Sequence, residues 1–289
     1  DGGQAQLTEA SFKGAPAYYD FNIKGTLRSE VLEIDHLYGL RIENADTIDI
    51  AGLVISDFHT EGLRIVGEPP SLEMHDIFIG SGIGNALILD TVNSLVIRNL
   101  NIETAASDAV ILNSSNLTVV DGSVDSSQIS LNGNATFDYS HSLYLTVLSV
   151  DSTFIESVEV RLYDRHGTPV YEGYTDDTYT LGPIELPVYR KSTVSGDEVY
   201  TPYSLVLSYW GIDTTLEVTL ETPTYLTVVM SGKAFIRGDV NADGSVNVTD
   251  VVWLLNNMMP PTYLCDDAAD CNDDGHVNLT DAVFALQPR

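Results

Sequence analysis

The sequence predicts a mainly β protein in three parts. These are a short parallel β-helix with an N-terminal strand or cap over residues 1–139, a β-sandwich over 140–232, and a small α-helical, Ca²⁺-binding module over 233–289. Three observations carry this reading. A strand motif recurs every 23 residues in the first half, and runs alternating apolar with polar fill the middle. At the end, two acidic twelve-residue loops each lead into an apolar helical stripe.

The repeat comes first. Gly39-Leu-Arg-Ile42 returns as Gly62-Leu-Arg-Ile65, Asn85-Ala-Leu-Ile88 and Asp108-Ala-Val-Ile111. A second strand travels with it, from Ile48-Asp-Ile50 and Leu53-Val-Ile55 through Leu95-Val-Ile97 and Leu100-Asn-Ile102 to Leu117-Thr-Val119. Short β-branched strands at constant period, separated by Asn, Asp, Ser and Gly, are what a coiled solenoid of parallel strands requires. The segment looks like a right-handed parallel β-helix of four or five rungs, the architecture of pectate lyases and tailspikes. The period places Leu40, Leu63, Ala86 and Ala109 in one inward stack and Ile42, Ile65, Ile88 and Ile111 in another. It places Arg41, Arg64, Leu87 and Val110 outward, followed two residues on by Glu43, Val66, Leu89 and Leu112. An outer column that turns from charged to aliphatic predicts cover by the next domain, a loop or a partner subunit. Ala15–Ile23 reads as a strand that forms an extra rung or caps the open end, where uncovered backbone groups would invite pairing.

From about Ser140 the period is lost. Leu143–Val150, Val158–Tyr163, Thr178–Leu181, Tyr203–Ser208, Leu216–Leu220 and Tyr225–Val229 alternate apolar with polar, with turns such as Arg165-His-Gly-Thr-Pro169 between them. This predicts an antiparallel, Ig-like or transthyretin-like β-sandwich. The order of strands around VEVRLYDRHGTPVYEGYTDD and TPYSLVLSYWG resembles the carboxypeptidase-regulatory-like, transthyretin-type sandwich. That resemblance implies a spacer or adhesion platform.

The two loops carry the chemistry. The first offers Asp239, Asn241, Asp243, Asn247 and Asp250 at loop positions 1, 3, 5, 9 and 12, with Gly244 at 6 and the carbonyl of Ser245 at 7. The second, starting 31 residues later, offers Asp270, Asn272, Asp274, Asn278 and Asp281, with Gly275 at 6 and the carbonyl of His276 at 7. Ca²⁺ takes six to eight oxygens in flexible geometry, and the glycine permits the turn that wraps them round one ion. Two loops predict two Ca²⁺ ions. Position 12 is Asp, where the EF-hand loop has a bidentate Glu. The paired segments GDVNADGSVNVTDVVWLL and ADCNDDGHVNLTDAVFAL resemble the type I dockerin module. That resemblance implies one Ca²⁺ per loop-helix repeat and docking onto a cohesin domain of another protein. Cellulosomal dockerins tend to carry Ser-Thr at positions 10 and 11, where this chain has Val248-Thr249 and Leu279-Thr280. The partner expected is thus a cohesin-like domain or a neighbouring subunit. Pro288 ends the second helix early.

Cys265 and Cys271 are the only cysteines. Their spacing is too wide for CxxC chemistry and nothing completes a zinc site, so a disulfide pinning the inter-repeat linker to the second loop is expected. Disulfides persist in oxidising compartments. A net charge of −29 opposes binding to nucleic acid and anionic membranes. Without an apolar run long enough to cross a bilayer or a signal peptide, and with a start at Asp1 rather than Met, the chain reads as a mature or trimmed product. An extracellular or cell-surface location follows, and the sequons at Asn113, Asn116 and Asn134 suit glycosylation there.

No catalytic residue is assigned. His36 and His59 lie 23 apart and are expected one above the other at a turn, and Arg41 and Arg64 share an outward column. The next positions, Gly82 and Leu87, add nothing, and no cluster of carboxylates is expected on adjacent rungs beside the arginines. The function expected is that of a non-catalytic structural or adhesion protein, with a glycan as a further candidate partner. The alternative is a polysaccharide-degrading β-helix lyase or hydrolase that docks onto a cohesin scaffold.

Overall fold

The computed structural model describes residues 3–12, 18–43, 45–105, 107–149, 152, 154–155, 157–176, 180–209, 212–230, 237–241, 243–258, 266–272 and 274–286, with backbone alone at 3–9, 266 and 267. Fourteen strands build a β-solenoid: β1 (Gly3–Phe12), β2 (Tyr19–Ile23), β3 (Gly25–Ile34), β4 (Leu37–Glu43), β5 (Thr47–Ile50), β6 (Leu53–Phe58), β7 (Glu61–Val66), β8 (Ser71–Gly82), β9 (Asn85–Asp90), β10 (Leu95–Ile102), β11 (Val110–Asn113), β12 (Asn116–Val120), β13 (Ile129–Asn132) and β14 (Thr136–Ser149). One parallel face runs β1, β3, β5 with β6, β8, β10, β12, β14. The other runs β2, β4, β7, β9, β11, β13. The stack is therefore taller than the four or five rungs expected. The segment before residue 35 supplies full strands, and coils after Asn113 lack the Gly-Leu-Arg-Ile signature while keeping its pairing.

The long face bends at one position in successive coils. Asp76, Asn99 and Asp121 hold the left-handed conformation there, with φ of 55°, 59° and 56°, a region Asn and Asp enter at lower cost than other side chains. Asn99 Nδ2 donates to Asp76 Oδ1 at 2.7 Å, stitching the corners of adjacent coils. Hydrogen bonds from His75 and then Asn99 hold the Asp76 carboxyl below the usual carboxylate range.

Leu, Ile and Val fill the interior. The pairing changes the expected stacks, however. Leu40 lies on Leu63 and Ile42 on Ile65, as the period requires. Above them Leu63 meets Leu87 and Ile65 meets Leu89, a step of 24. Leu87 and Leu89 continue to Val110 and Leu112. All four are fully buried, and Ile88 and Ile111 take the column of Arg41 and Arg64. The extra residue sits in the turn between Val66 and Ser71, where Gly67 has φ 82°. A one-residue slip exchanges the two faces of a strand. The aliphatic outer column expected from Leu87, Val110, Leu89 and Leu112 is thus the core itself, and no covering partner is needed for it.

β14 continues past the corner at which earlier coils bend. One edge pairs first with β12 and then with β21 (Thr224–Met230, parallel), while β17 (Leu181–Ser192, antiparallel) runs along β14 from Thr136 to Leu145. A second sheet in the order β16 (Pro169–Tyr174), β15 (Glu159–Tyr163), β19 (Tyr203–Tyr209), β20 (Ile212–Val218) lies apart from it, while β18 (Glu198–Val199) extends β17. Leu143, Leu145, Val147, Ile184, Leu186, Val228 and Met230 from one sheet form a core with Val160, Leu162, Tyr203, Leu205 and Leu207 from the other. The resemblance to the transthyretin-type sandwich is not confirmed. One of these sheets is an outgrowth of the solenoid, and it contains a parallel pair that an all-antiparallel sandwich lacks.

Candidate calcium module

The acidic loops fold around their own backbone. Asp239 accepts the N–H of Asp243 at 3.0 Å and of Gly244 at 2.8 Å, and Asn241 Oδ1 accepts the same Asp243 N–H at 2.9 Å. Asp243 Oδ1 accepts the N–H of Ser245 at 2.9 Å. Asp250, from the first turn of α1 (Val248–Asn257), closes the loop by accepting the N–H of Asn241 at 3.2 Å and of Asn247 at 2.8 Å. Gly244, at φ 87°, makes the sharp turn between them.

The second loop repeats this network. Asp270 accepts from Asp274 and Gly275, Asn272 from Asp274, Asp274 from His276, and Asp281 from Asn272 and Asn278. Asp281 lies in the first turn of α3 (Leu279–Ala285). Between the two, α2 (Asp266–Ala269) presents the Ala268 carbonyl to the N–H of Gly238, and Arg237 donates to the Asp270 carbonyl at 2.6 Å. Each repeat thereby anchors the start of the other.

Asn247 and Asn278 have a second duty. Each caps its helix, accepting the N–H of Thr249 or Thr280 while the N3 Asp bonds back, a reciprocal capping box. Their amide nitrogens donate to the carbonyls of Ser245 and His276, which fixes the position-7 oxygens.

The donor set fits a hard divalent cation. Asp250 and Asp281 are fully buried and Asp239 and Asp270 nearly so. Among the described residues, no lysine or arginine side chain pairs with Asp239, Asp250 or Asp281. Buried carboxylates need a compensating charge, and hydrogen bonds from backbone amides supply only part of it. Ca²⁺ would supply the rest, held by oxygen ligands that the loop already points inward.

Behind the loops a small core joins the repeats. Val240, Val251, Leu254, Ala269, Cys271 and Ala282 are buried together, with Trp253, Met258 and Val277 against them. Cys271 is fully buried, and Cys265 lies outside the described residues. The outer faces of both helices stay apolar and exposed. Val248, Val252 and Leu255 line α1, and Leu279, Val283 and Phe284 line α3.

Elsewhere, the structure rearranges the residues singled out in the solenoid. Arg41 and Arg64 do share a column, but carboxylates flank both, contrary to expectation. Arg41 pairs with Glu43, while Arg64 meets Asp90 at 2.7 Å and Glu61 at 3.5 Å. The 24-residue step brings Asp90 over Val66, which a constant period of 23 would not. His36 and His59 are not directly stacked, because Leu37 rather than His36 neighbours Phe58 and Tyr38 stacks on His59 at 5.1 Å. Of the sequon residues, Asn113 donates to Asp90 and Asn116 to the Asn93 carbonyl, and both Asn116 and Asn134 are exposed.

Residues 237–284 match the family model described as Dockerin type I domain. Curated proteins and solved structures gave no match. The terminal module is thus of the dockerin class, whose members bind calcium and dock onto protein partners, typically cohesins. Among the described residues no helix is long and apolar enough to cross a membrane.

Proposed function

We propose that the chain is a non-catalytic structural or adhesion protein of the cell exterior, which presents a rigid solenoid and sandwich and is tethered through its terminal module. Two Ca²⁺ ions hold that module, one on Asp239, Asn241, Asp243, Asn247, Asp250 and the Ser245 carbonyl, and one on Asp270, Asn272, Asp274, Asn278, Asp281 and the His276 carbonyl. A Cys265–Cys271 disulfide pins the linker to the second loop. The partner is a cohesin-like domain, gripped by the exposed apolar faces of α1 and α3.

One observation carries the reading. The same loop network recurs twice and leaves each helix with an apolar outer stripe, headed by Val248 in one repeat and Leu279 in the other. An apolar patch of this kind on an otherwise acidic surface marks an interaction site. A non-catalytic role is supported by the arginines, which are engaged by Glu43, Glu61 and Asp90 and so are poorly placed as a lyase base.

Calorimetric titration of the full chain against a set of cohesin domains, with calcium and with chelator, tests docking. Calcium-dependent binding to one of them is expected. Binding to none, together with release of unsaturated sugars from acidic polysaccharide, would replace this reading with the enzymatic one.

A further inference from the structure

The turn between β3 and β4 holds a cluster that neither the dockerin module nor the solenoid core explains. Asp35 and His36 form the turn itself, and Asp57 comes from β6 in the next coil. One ligand atom from each of the three lies within 4.8 Å of the other two. His36 Nδ1 is 3.0 Å from Asp35 Oδ1 and 3.5 Å from Asp57 Oδ1. Nδ1 itself is shut off from solvent, although the imidazole and both carboxylates are about a third exposed, and it makes no hydrogen bond with acceptable geometry to either carboxylate. A screened ring nitrogen that faces two carboxylates without hydrogen-bonding either leaves room for a cation to bridge the three groups.

We propose that Asp35, His36 and Asp57 form a site for a divalent transition metal of the Zn²⁺ class, separate from the calcium loops. Imidazole and carboxylate ligands bind such an ion at about 2.0–2.2 Å. Two ligands at that distance stand roughly 3.0 Å apart at right angles and roughly 3.4 Å apart at the tetrahedral angle, close to the two separations observed. The mixed nitrogen and oxygen set also discriminates, because Ca²⁺ prefers six to eight oxygens while imidazole suits zinc and its neighbours.

The surroundings fix the donors. Asp57 Oδ1 accepts the His36 N–H at 2.7 Å, which ties the carboxylate of one coil to the backbone of the one before. Tyr18 lies against both histidine rings, 5.8 Å from His36 and 5.4 Å from His59. Three protein ligands leave at least one coordination position for water or an oxygen ligand from solution. Tyr18, nearly half exposed, packs on the His36 ring, and Tyr38, as exposed, stacks on His59.

The test uses the full chain, stripped of metal and then held in excess calcium so that the loops stay filled. Co²⁺, a coloured stand-in for Zn²⁺, is titrated in and followed by visible absorption and calorimetry. His36→Asn is the diagnostic variant, since Asn accepts the φ of 59° that His36 adopts. His276→Ser controls for the histidine in the second calcium loop, Ser being what the first loop carries there. We expect one equivalent of Co²⁺ bound, weakened at least about tenfold by His36→Asn and unchanged by His276→Ser. Asp35→Asn, judged the same way, serves if His36→Asn misfolds. Co²⁺ binding that survives His36→Asn, or is lost in His276→Ser, or is absent altogether, overturns the site and leaves an imidazole paired with two carboxylates.

Discussion

Asp281 does in the second acidic loop what Asp250 does in the first. Each is buried in the first turn of a helix and reaches back to the amide nine residues earlier, at 3.2 Å in both cases. Each also caps the helix start, so that an ion held by these loops would share one carboxylate with helix formation. Binding of such an ion would then contribute directly to folding.

Calcium removal should therefore unfold the module while leaving the solenoid intact. At a calcium concentration 100-fold above the dissociation constant, one site contributes about 2.7 kcal/mol. Chelator should abolish a transition reported by Trp253 fluorescence, and Asp250→Ala or Asp281→Ala should reproduce roughly that loss for its own loop. Melting curves unchanged by chelator would refute the calcium assignment.

The apolar helix faces make docking separable from folding. Val252→Asp and Val283→Asp each place a charge on an exposed position, where the change in stability should stay within about 0.5 kcal/mol. Calorimetry against the cohesin bound by the native chain should show a loss of at least about tenfold in one or both variants. Undiminished affinity in the double variant would move the docking surface elsewhere.

The one-residue slip in the solenoid is testable at two adjacent positions. Leu112 is fully buried and Ile111 half-buried. Leu112→Ala should cost about 2–5 kcal/mol and Ile111→Ala about 1 kcal/mol in denaturant unfolding. A constant 23-residue register would reverse that order.

Acid should weaken the hairpin between β15 and β16. Burial raises the Asp164 carboxyl, but hydrogen bonds from the Thr168 and His166 amides outweigh it and hold the group below its ordinary value of 3.8. A depressed folded-state value means that the stabilisation is complete above 3.8 and is lost as pH falls through the lower value. Asp164→Asn keeps an acceptor oxygen without a titrating group, so its acid-unfolding curve should be flatter than that of the native chain below pH 3.8. Parallel curves for the two proteins would remove Asp164 from the acid response.

The calcium loops were legible in the sequence because each donor set lies within twelve residues. Turn glycine, capping Asn and helix-turn Asp are all local choices, and the structure keeps every one of them in a single network. The existence of the solenoid was legible for a similar reason, since a repeat in sequence becomes a repeat in space. The strand-sharing at β14 was not. Tyr139, Ser140 and His141 look like any alternating run, and only their partners, β12 giving way to β21 at the corner while β17 spans it, reveal the joint.

The sequence by itself thus determined the two dockerin-class acidic loops, the coil repeat and the mainly β character. Tertiary structure alone decided the phase of that repeat, the carboxylates flanking the arginines and the meeting of Asp35, His36 and Asp57. The reason is that strand side chains alternate faces every residue, so one additional residue in the turn between Val66 and Ser71 reassigns all that follow. Only contact between coils fixes which face turns inward.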